Sequence, residues 1–127
     1  MIMIDTDVLI WFMLGNLRAL TAINENKNFS VSAVTYMELA QGVRNKNELM
    51  KLRAFFRKQE APILSITEEI TAKAISFVEQ YTLPHSVRMA DALIAATAIV
   101  HGLPLLAGNT KHFSVIRGVE VMNFKAQ

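Results

Sequence analysis

The chain has 127 residues, of which 52% are apolar and 19% charged, and it contains no cysteine. That composition implies a single domain over residues 1–127 with a sizeable core, and it excludes a disordered chain, a disulfide framework and any cysteine-based zinc site. Thirteen basic and 11 acidic residues give a net charge of +2, which excludes little until the acids are placed along the chain.

Met1 to Ile4 is a short apolar run that reads as a buried strand ending at Asp5. Asp7 to Leu14 reads as a helix stopped by Gly15-Asn16, and Leu17 to Asn24 as a second short helix. Phe29 to Val31 is a strand; Ser32 caps a helix over Ala33 to Val43. Asn47 to Gln59 is amphipathic, with Leu49, Leu52, Phe55 and Phe56 on one face and Lys51, Arg53, Arg57 and Lys58 on the other. Ile63 to Ile66 is a strand, and Thr67 caps a helix that Leu83-Pro84-His85 breaks. Arg88 to His101 is helical and apolar on nearly every side, ended by Gly102. Leu103 to Ala107 is a strand, Gly108 to Phe113 a loop with room for one helical turn, and Val119 to Met122 a last strand. Short apolar strands alternating with helices predict an α/β fold: a three-layer α/β/α sandwich around a mainly parallel sheet of four to five strands.

No apolar run reaches the length of a membrane span. The opening MIMIDTDVLI carries acids where a secretory leader has a basic region. With no cysteine to oxidise, the expectation is a cytoplasmic protein away from the membrane.

Four acids lie in or beside apolar segments. Asp5 ends the first strand, where ligands bind in open α/β sheets; its alternative role, with Thr6, is to cap the helix, with Asp7 favouring the dipole. Glu38 has no Lys or Arg three or four residues away, so no helical ion pair explains it. Asp91 opens a helix in which Thr97 is the only other polar residue from Met89 to Val100. A carboxylate there needs compensation, either from Arg88 and the helix dipole or from a metal. If these acids converge, 13 basic residues face seven remaining acids on the exterior, a surface suited to a polyanion. Each close carboxylate pair repels by roughly 4 kcal/mol at 4 Å and an effective dielectric near 20. A hard divalent cation, Mg²⁺ or Mn²⁺, removes that penalty through oxygen ligands, and metals held by carboxylates in a basic protein suit phosphodiester hydrolysis. His85, His101 and His112 show no zinc spacing. His112, beside the late loop, is a candidate for substrate contact. The aromatics Trp11, Phe12, Phe55, Phe56 and Phe77 fall at core-like spacings.

Four blocks together, Asp5-Thr6-Asp7-Val8-Leu9-Ile10, Ser32 to Leu39 with Gly42, Arg88 to Ala96, and Gly108-Asn109-Thr110-Lys111-His112-Phe113, resemble the PIN-domain ribonucleases. More narrowly they resemble the VapC toxins of bacterial and archaeal toxin–antitoxin modules, over nearly the whole chain. The resemblance implies a parallel sheet with an acidic pocket for Mg²⁺ or Mn²⁺. Asp5, Glu38 and Asp91 fall on the family's three main acids, and Thr6 or Asp7 on a small polar position that orients water. Asn109 falls on a fourth metal-ligand position that usually carries Asp or Asn, and a neutral ligand there favours one well-occupied metal site. The implied reaction is endonucleolytic cleavage of RNA by a metal-activated water, leaving a 5′-phosphate and a 3′-hydroxyl. Asp5 and Asp91 would hold the metal, and Glu38 would bind it or position and deprotonate the water. Arg88, Lys111 and the basic face from Arg44 to Lys58 are candidate phosphate contacts, or a solvated helix face. The implied partners are a VapB-like antitoxin, whose C-terminal segment lies across the groove, a second copy of the chain in a homodimer, and operator DNA reached only through the antitoxin.

Three other readings remain open at this stage. One is a PIN-fold RNA-processing nuclease without a toxin role. Another is a phosphatase of the haloacid-dehalogenase type, suggested by Asp5-x-Asp7, which also needs a lysine and a late pair of adjacent acids. The third is a non-catalytic α/β binding domain, receiver-like or otherwise.

Overall fold

The computed structural model describes all residues, Met1–Gln127. Its strands are β1 (Met3–Ile4), β2 (Val31–Ser32), β3 (Ile63–Leu64), β4 (Leu105–Ala107) and β5 (Val121–Asn123). Every pairing is parallel: β1 with β4, β4 with β5, and β2 with β3. A parallel bridge between Met3 and Ser30 joins the two ladders, with the Ile4 N–H donating to Ser30 O and the Ser30 N–H to Ile2 O, both at 3.0 Å. The strand order is therefore 3-2-1-4-5, and the chain changes direction across the sheet between β1 and β4. In such sheets that switch point opens a crevice at the carboxyl ends of the strands.

Alternation along the central strands builds two cores. Met3, Leu105 and Ala107 point into one, Ile4 and Leu106 into the other. The first is closed by α5 (Glu68–His85) and α6 (Met89–His101), through Ile70, Ala74, Phe77, Ala95 and Ala96. The second is closed by α1 (Thr6–Met13), α2 (Leu17–Glu25) and α4 (Lys46–Gln59), through Val8, Leu9, Ile23, Leu52 and Phe56. Between them, α3 (Ala33–Gln41) sends Val34 to the first core and Leu39 to the second. The three-layer α/β/α sandwich expected from the sequence is the observed fold. The edge strands β3 and β5 are less buried than the uniformly apolar pattern implied, Ile63 and Met122 being partly in water, because each has a neighbour on one side only.

Side chains set the helix starts. The Asn16, Ser32, Asn45 and Thr67 oxygens accept from the backbone N–H of Ala19, Val34, Glu48 and Ile70 at 2.9–3.2 Å. Gly102, at φ 64°, closes α6 in the left-handed region. Two boundaries differ from expectation. Arg88 is the cap before α6 rather than its first residue. Pro84 does not break α5, which continues to His85. Proline's φ suits a helix, and only one N–H is lost so near the end. Ser86 then stops the helix at φ 59°, its N–H donating to Thr82 O at 2.8 Å. No single helix is long and apolar enough to cross a membrane; α1 and α2 pass that test only as a pair bent by 120°.

The position of Pro84 carries a test. A mid-helix proline costs about 3 kcal/mol, but in this exposed last turn Pro84→Ala should change unfolding free energy by no more than about 1 kcal/mol in urea denaturation, because the regained bond offsets the greater freedom of the unfolded chain.

Candidate functional site

A pocket of about 210 Å³ opens at the crevice between β1 and β4, lined by Asp5, Thr6, Asp7, Glu38, Asp91 and Asn109 together with His112, Phe113 and three apolar side chains. Six of the eight predicted site residues thus meet from four separated segments. The other two, Lys111 beside His112 and Arg88 two residues before Ala90, are exposed and do not line the pocket.

Asp5 follows β1 directly and is only 7% exposed. It occupies the cap position of α1, yet its side chain makes no capping hydrogen bond, so the helix does not account for it. Burial, then the Asp7 charge, pushes the Asp5 carboxyl up to about 8, and Glu38 adds to the rise. The nearby Thr6 N–H works the other way and is outweighed. In the neutral range Asp5 therefore keeps a proton that a free aspartate would have lost.

Asp7 reaches across the crevice. Its Oδ2 accepts from the backbone N–H of Gly108 at 3.0 Å and of Asn109 at 2.8 Å. This ties the start of α1 to the loop after β4, so Asp7 positions that loop. A side chain at residue 108 would put its Cβ 2.7 Å from Asp7 Oδ2, so glycine is what allows the close approach. The other oxygen, Oδ1, is buried with no hydrogen-bond partner.

Glu38 comes from α3. Thr6 Oγ1 stands 2.6 Å from Glu38 Oε1 and 3.0 Å from Thr35 Oγ1. A hydroxyl carries one proton and a carboxylate only accepts, so Thr35 donates to Thr6 and Thr6 to Glu38. Thr6 thus orients Glu38. The fully buried Thr35 is a residue that sequence reasoning missed, although its position one turn before Glu38 puts both on one face of α3.

Asp91 sits in the first turn of α6. Its Oδ2 accepts from the Arg88 backbone N–H at 3.2 Å and from His112 Nδ1 at 3.0 Å. The Arg88 guanidinium makes no ion pair with it; the salt bridges of the molecule are Arg44–Glu48 and His112–Asp91. Arg44, expected on a free basic face, is held by Glu48 at 2.7 Å. No lysine or arginine lines the pocket, which leaves the phosphatase and receiver alternatives without the lysine that each requires.

The donor set bears on a metal directly. As the side chains stand, no group of three or more histidine and acidic side chains is already drawn together around one point. The reason is visible in the contacts: Glu38 is drawn to Thr6 and Asp91 to His112. A hard cation still fits. Mg²⁺ keeps several waters and commonly takes only one or two carboxylates. A buried carboxylate oxygen without a donor, beside a carboxyl pushed up to about 8, marks a pocket with more negative charge than donors.

Known proteins share this arrangement of chain. The PIN domain family model matches residues 2–118. The chain is 35% identical over 119 residues to Ribonuclease VapC10 of Mycobacterium tuberculosis, covering 89% of this chain and 86% of the relative. It is 31% identical over 132 residues to Ribonuclease VapC1 of Rickettsia felis, covering 99% and 98%. Among solved structures, a toxin–antitoxin complex from Klebsiella pneumoniae superposes with a TM-score of 0.78 at 28% identity, covering 97% of each chain.

Two outcomes follow from the geometry. In chelator, the folded state holds a proton on Asp5 up to about pH 8, whereas the unfolded chain releases it near pH 4. The melting temperature should therefore fall as pH rises from 4 toward 8, and Asp5→Asn should flatten that slope. Separately, Gly108→Ala should destabilise by about 1–3 kcal/mol in urea by breaking the Asp7 clamp, and should cost nothing further in an Asp7→Ala background, where the clamp is already gone.

Proposed function

The chain belongs to the PIN domain family, and from that premise and its pocket we propose that it is a metal-dependent endoribonuclease, the toxin of a toxin–antitoxin pair. The observation that carries the reading is the gathering of Asp5, Glu38 and Asp91, from three distant segments, in one pocket that no lysine or arginine lines. The cation is Mg²⁺ or Mn²⁺, in keeping with the all-carboxylate and amide oxygen donors. Asp5 and Asp91 would hold it, with Glu38 and the Asn109 side-chain carbonyl as further oxygen donors in the same pocket. When bound, such an ion acidifies a water and neutralises charge on the phosphate.

The remaining chemistry falls to the side chains. Glu38, aimed by Thr6, holds the attacking water and takes its proton. Attack at phosphorus forms the bond to the water oxygen and breaks the bond to the 3′ oxygen, which takes a proton from solvent; the products are a 5′-phosphate and a 3′-hydroxyl. Asp7 keeps the Asn109 loop in place. Arg88 and Lys111, at the rim, meet the flanking phosphates of the RNA.

The antitoxin reading has its own support. A groove of about 670 Å³ runs between α1, α3 and α4, lined by Phe12, Met13, Leu14, Leu39, Leu52 and Phe55, and it shares Ile10 and Glu38 with the acid pocket. An apolar segment of a VapB-like antitoxin laid there brings a basic side chain within reach of the acids, and operator DNA is contacted through that antitoxin. On the other side of Glu38, the exposed Met37, Ile66 and Met89 form an apolar hollow suited to a second copy of the chain in a homodimer. The absence of cysteine keeps the cytoplasm as the proposed compartment.

The metal and the chemistry can be tested together. Mg²⁺ or Mn²⁺ should raise the melting temperature of the wild type but not of Asp91→Asn. In chelator the variant should be as stable as the wild type or more so, since one charge is gone. Alanine at Asp5, Glu38 or Asp91 should each lower RNA cleavage at least about 100-fold. Cleavage unchanged in any one would remove that residue from the mechanism. Expression without the antitoxin should arrest growth; normal growth with an active nuclease would replace the toxin role by RNA processing.

A further inference from the structure

The sequence offers His112 only as a candidate for substrate contact, yet it is the one side chain hydrogen-bonded to Asp91. It lies on α7 (Lys111–Ser114), a single turn between the loop after β4 and the core. Its neighbour Phe113 is 2% exposed and packs in the first core with Ile116. The turn is closed by the Ser114 N–H on Thr110 O at 2.8 Å and the Ile116 N–H on Phe113 O at 3.1 Å. The backbone carrying His112 is therefore held by the interior, and its ring faces Asp91 from a fixed base.

A carboxylate only accepts, so Nδ1 carries the hydrogen and donates to Asp91 Oδ2 at 3.0 Å. The Arg88 N–H takes the same oxygen at 3.2 Å. Both donors fall on Oδ2, and Oδ1 receives none. The two donors, one from the cap of α6 and one from α7, thus hold the same carboxylate oxygen. The segment 108–112 is thus tied at both ends to pocket acids: to Asp7 at Gly108 and Asn109, and to Asp91 at His112.

We propose that His112 is a positioning residue for the metal centre: its Nδ1–H holds Asp91 Oδ2 and so presents Oδ1 to the cation as a single, pre-oriented ligand atom. This rests on the metal-dependent reading above. Groups that orient a metal's own ligands typically change affinity by about 10–100-fold when removed. The pair lies at the pocket wall, with the His112 and Asp91 side chains about one-quarter exposed, so losing it should barely disturb the core.

The test is Mn²⁺ binding by calorimetry on the full chain, with melting in chelator as the folding control. His112→Ala and His112→Phe, the latter keeping the ring volume without nitrogen, should both bind Mn²⁺ about 10–100-fold more weakly than the wild type, while melting in chelator stays close to it. His112→Asn, whose amide N–H replaces Nδ1, should recover most of the affinity. RNA cleavage by His112→Ala should rise toward the wild-type rate as Mn²⁺ is increased. The proposal is overturned if either deletion variant binds Mn²⁺ as tightly as the wild type, or if His112→Asn binds no better than His112→Ala. A wild type that binds no Mn²⁺ overturns the nuclease reading along with it.

Discussion

An excess of carboxylate over nearby donors, gathered at the end of a buried strand, governs this molecule. Asp5 cannot leave the crevice, because β1 is pinned on both sides and the next residue begins α1. Burial, and then repulsion that amounts to roughly 4 kcal/mol between two ionised carboxylates at 4 Å and an effective dielectric near 20, lets Asp5 retain a proton where a free aspartate would not. The structure sets hydrogen-bond donors against the other acids: two backbone N–H groups on Asp7, a hydroxyl on Glu38, and an imidazole with a backbone N–H on Asp91. These donors fix orientation. A lysine or arginine would have brought a permanent positive charge as well, and none lines the pocket.

The fold makes this distribution feasible. With strand order 3-2-1-4-5 the chain leaves β1 and β4 side by side at the switch point. The first turn of α1 and the loop after β4 then face each other at hydrogen-bonding distance. Asp7 crosses that gap, and only a residue without a side chain at position 108 lets it do so. The buried helix α6 supplies the opposite wall. Its small residues Ala92, Ala95 and Ala96 pack closely on the sheet, which brings Asp91 to the mouth of the crevice. Local sequence, sheet order and site geometry are one constraint seen at three scales.

Much of this was legible in the chain before any coordinate. Apolar runs and capping residues located every element, because burial and orphaned backbone groups leave direct marks in sequence. The strands are shorter than the runs that announced them, since apolar character extends beyond the paired residues. Pro84 misled because the penalty for proline depends on how much helix follows, which the residue itself does not state. The acids were found by their incongruity in apolar segments. Their tethers were not. Thr6 was marked for orienting water rather than Glu38, Thr35 looked like an ordinary small polar residue, and Arg88 looked like the partner of Asp91 by spacing, whereas its backbone N–H makes the contact. His112 is 21 residues from Asp91, and no periodicity relates the turn α7 to α6. Contacts across a crevice depend on sheet order, which alternation alone leaves undetermined.

The charge of the surface acquires meaning in the same terms. Removing the four pocket acids leaves 13 basic residues against seven acidic ones over the exterior, and Glu48 occupies Arg44 among them. At distances beyond a few ångström the basic excess attracts a polyanion; within the crevice the carboxylates repel each phosphate. These opposed fields let RNA collect along the surface but not settle in the pocket while the acids there remain uncompensated. A divalent cation reverses the sign where the reaction occurs and leaves the exterior unchanged. A basic side chain on an apolar segment, laid in the adjoining groove, would reverse it equally well without providing chemistry. Under the proposed function, activation and inhibition would compete for one deficit of positive charge; Glu38 lines both the pocket and the groove.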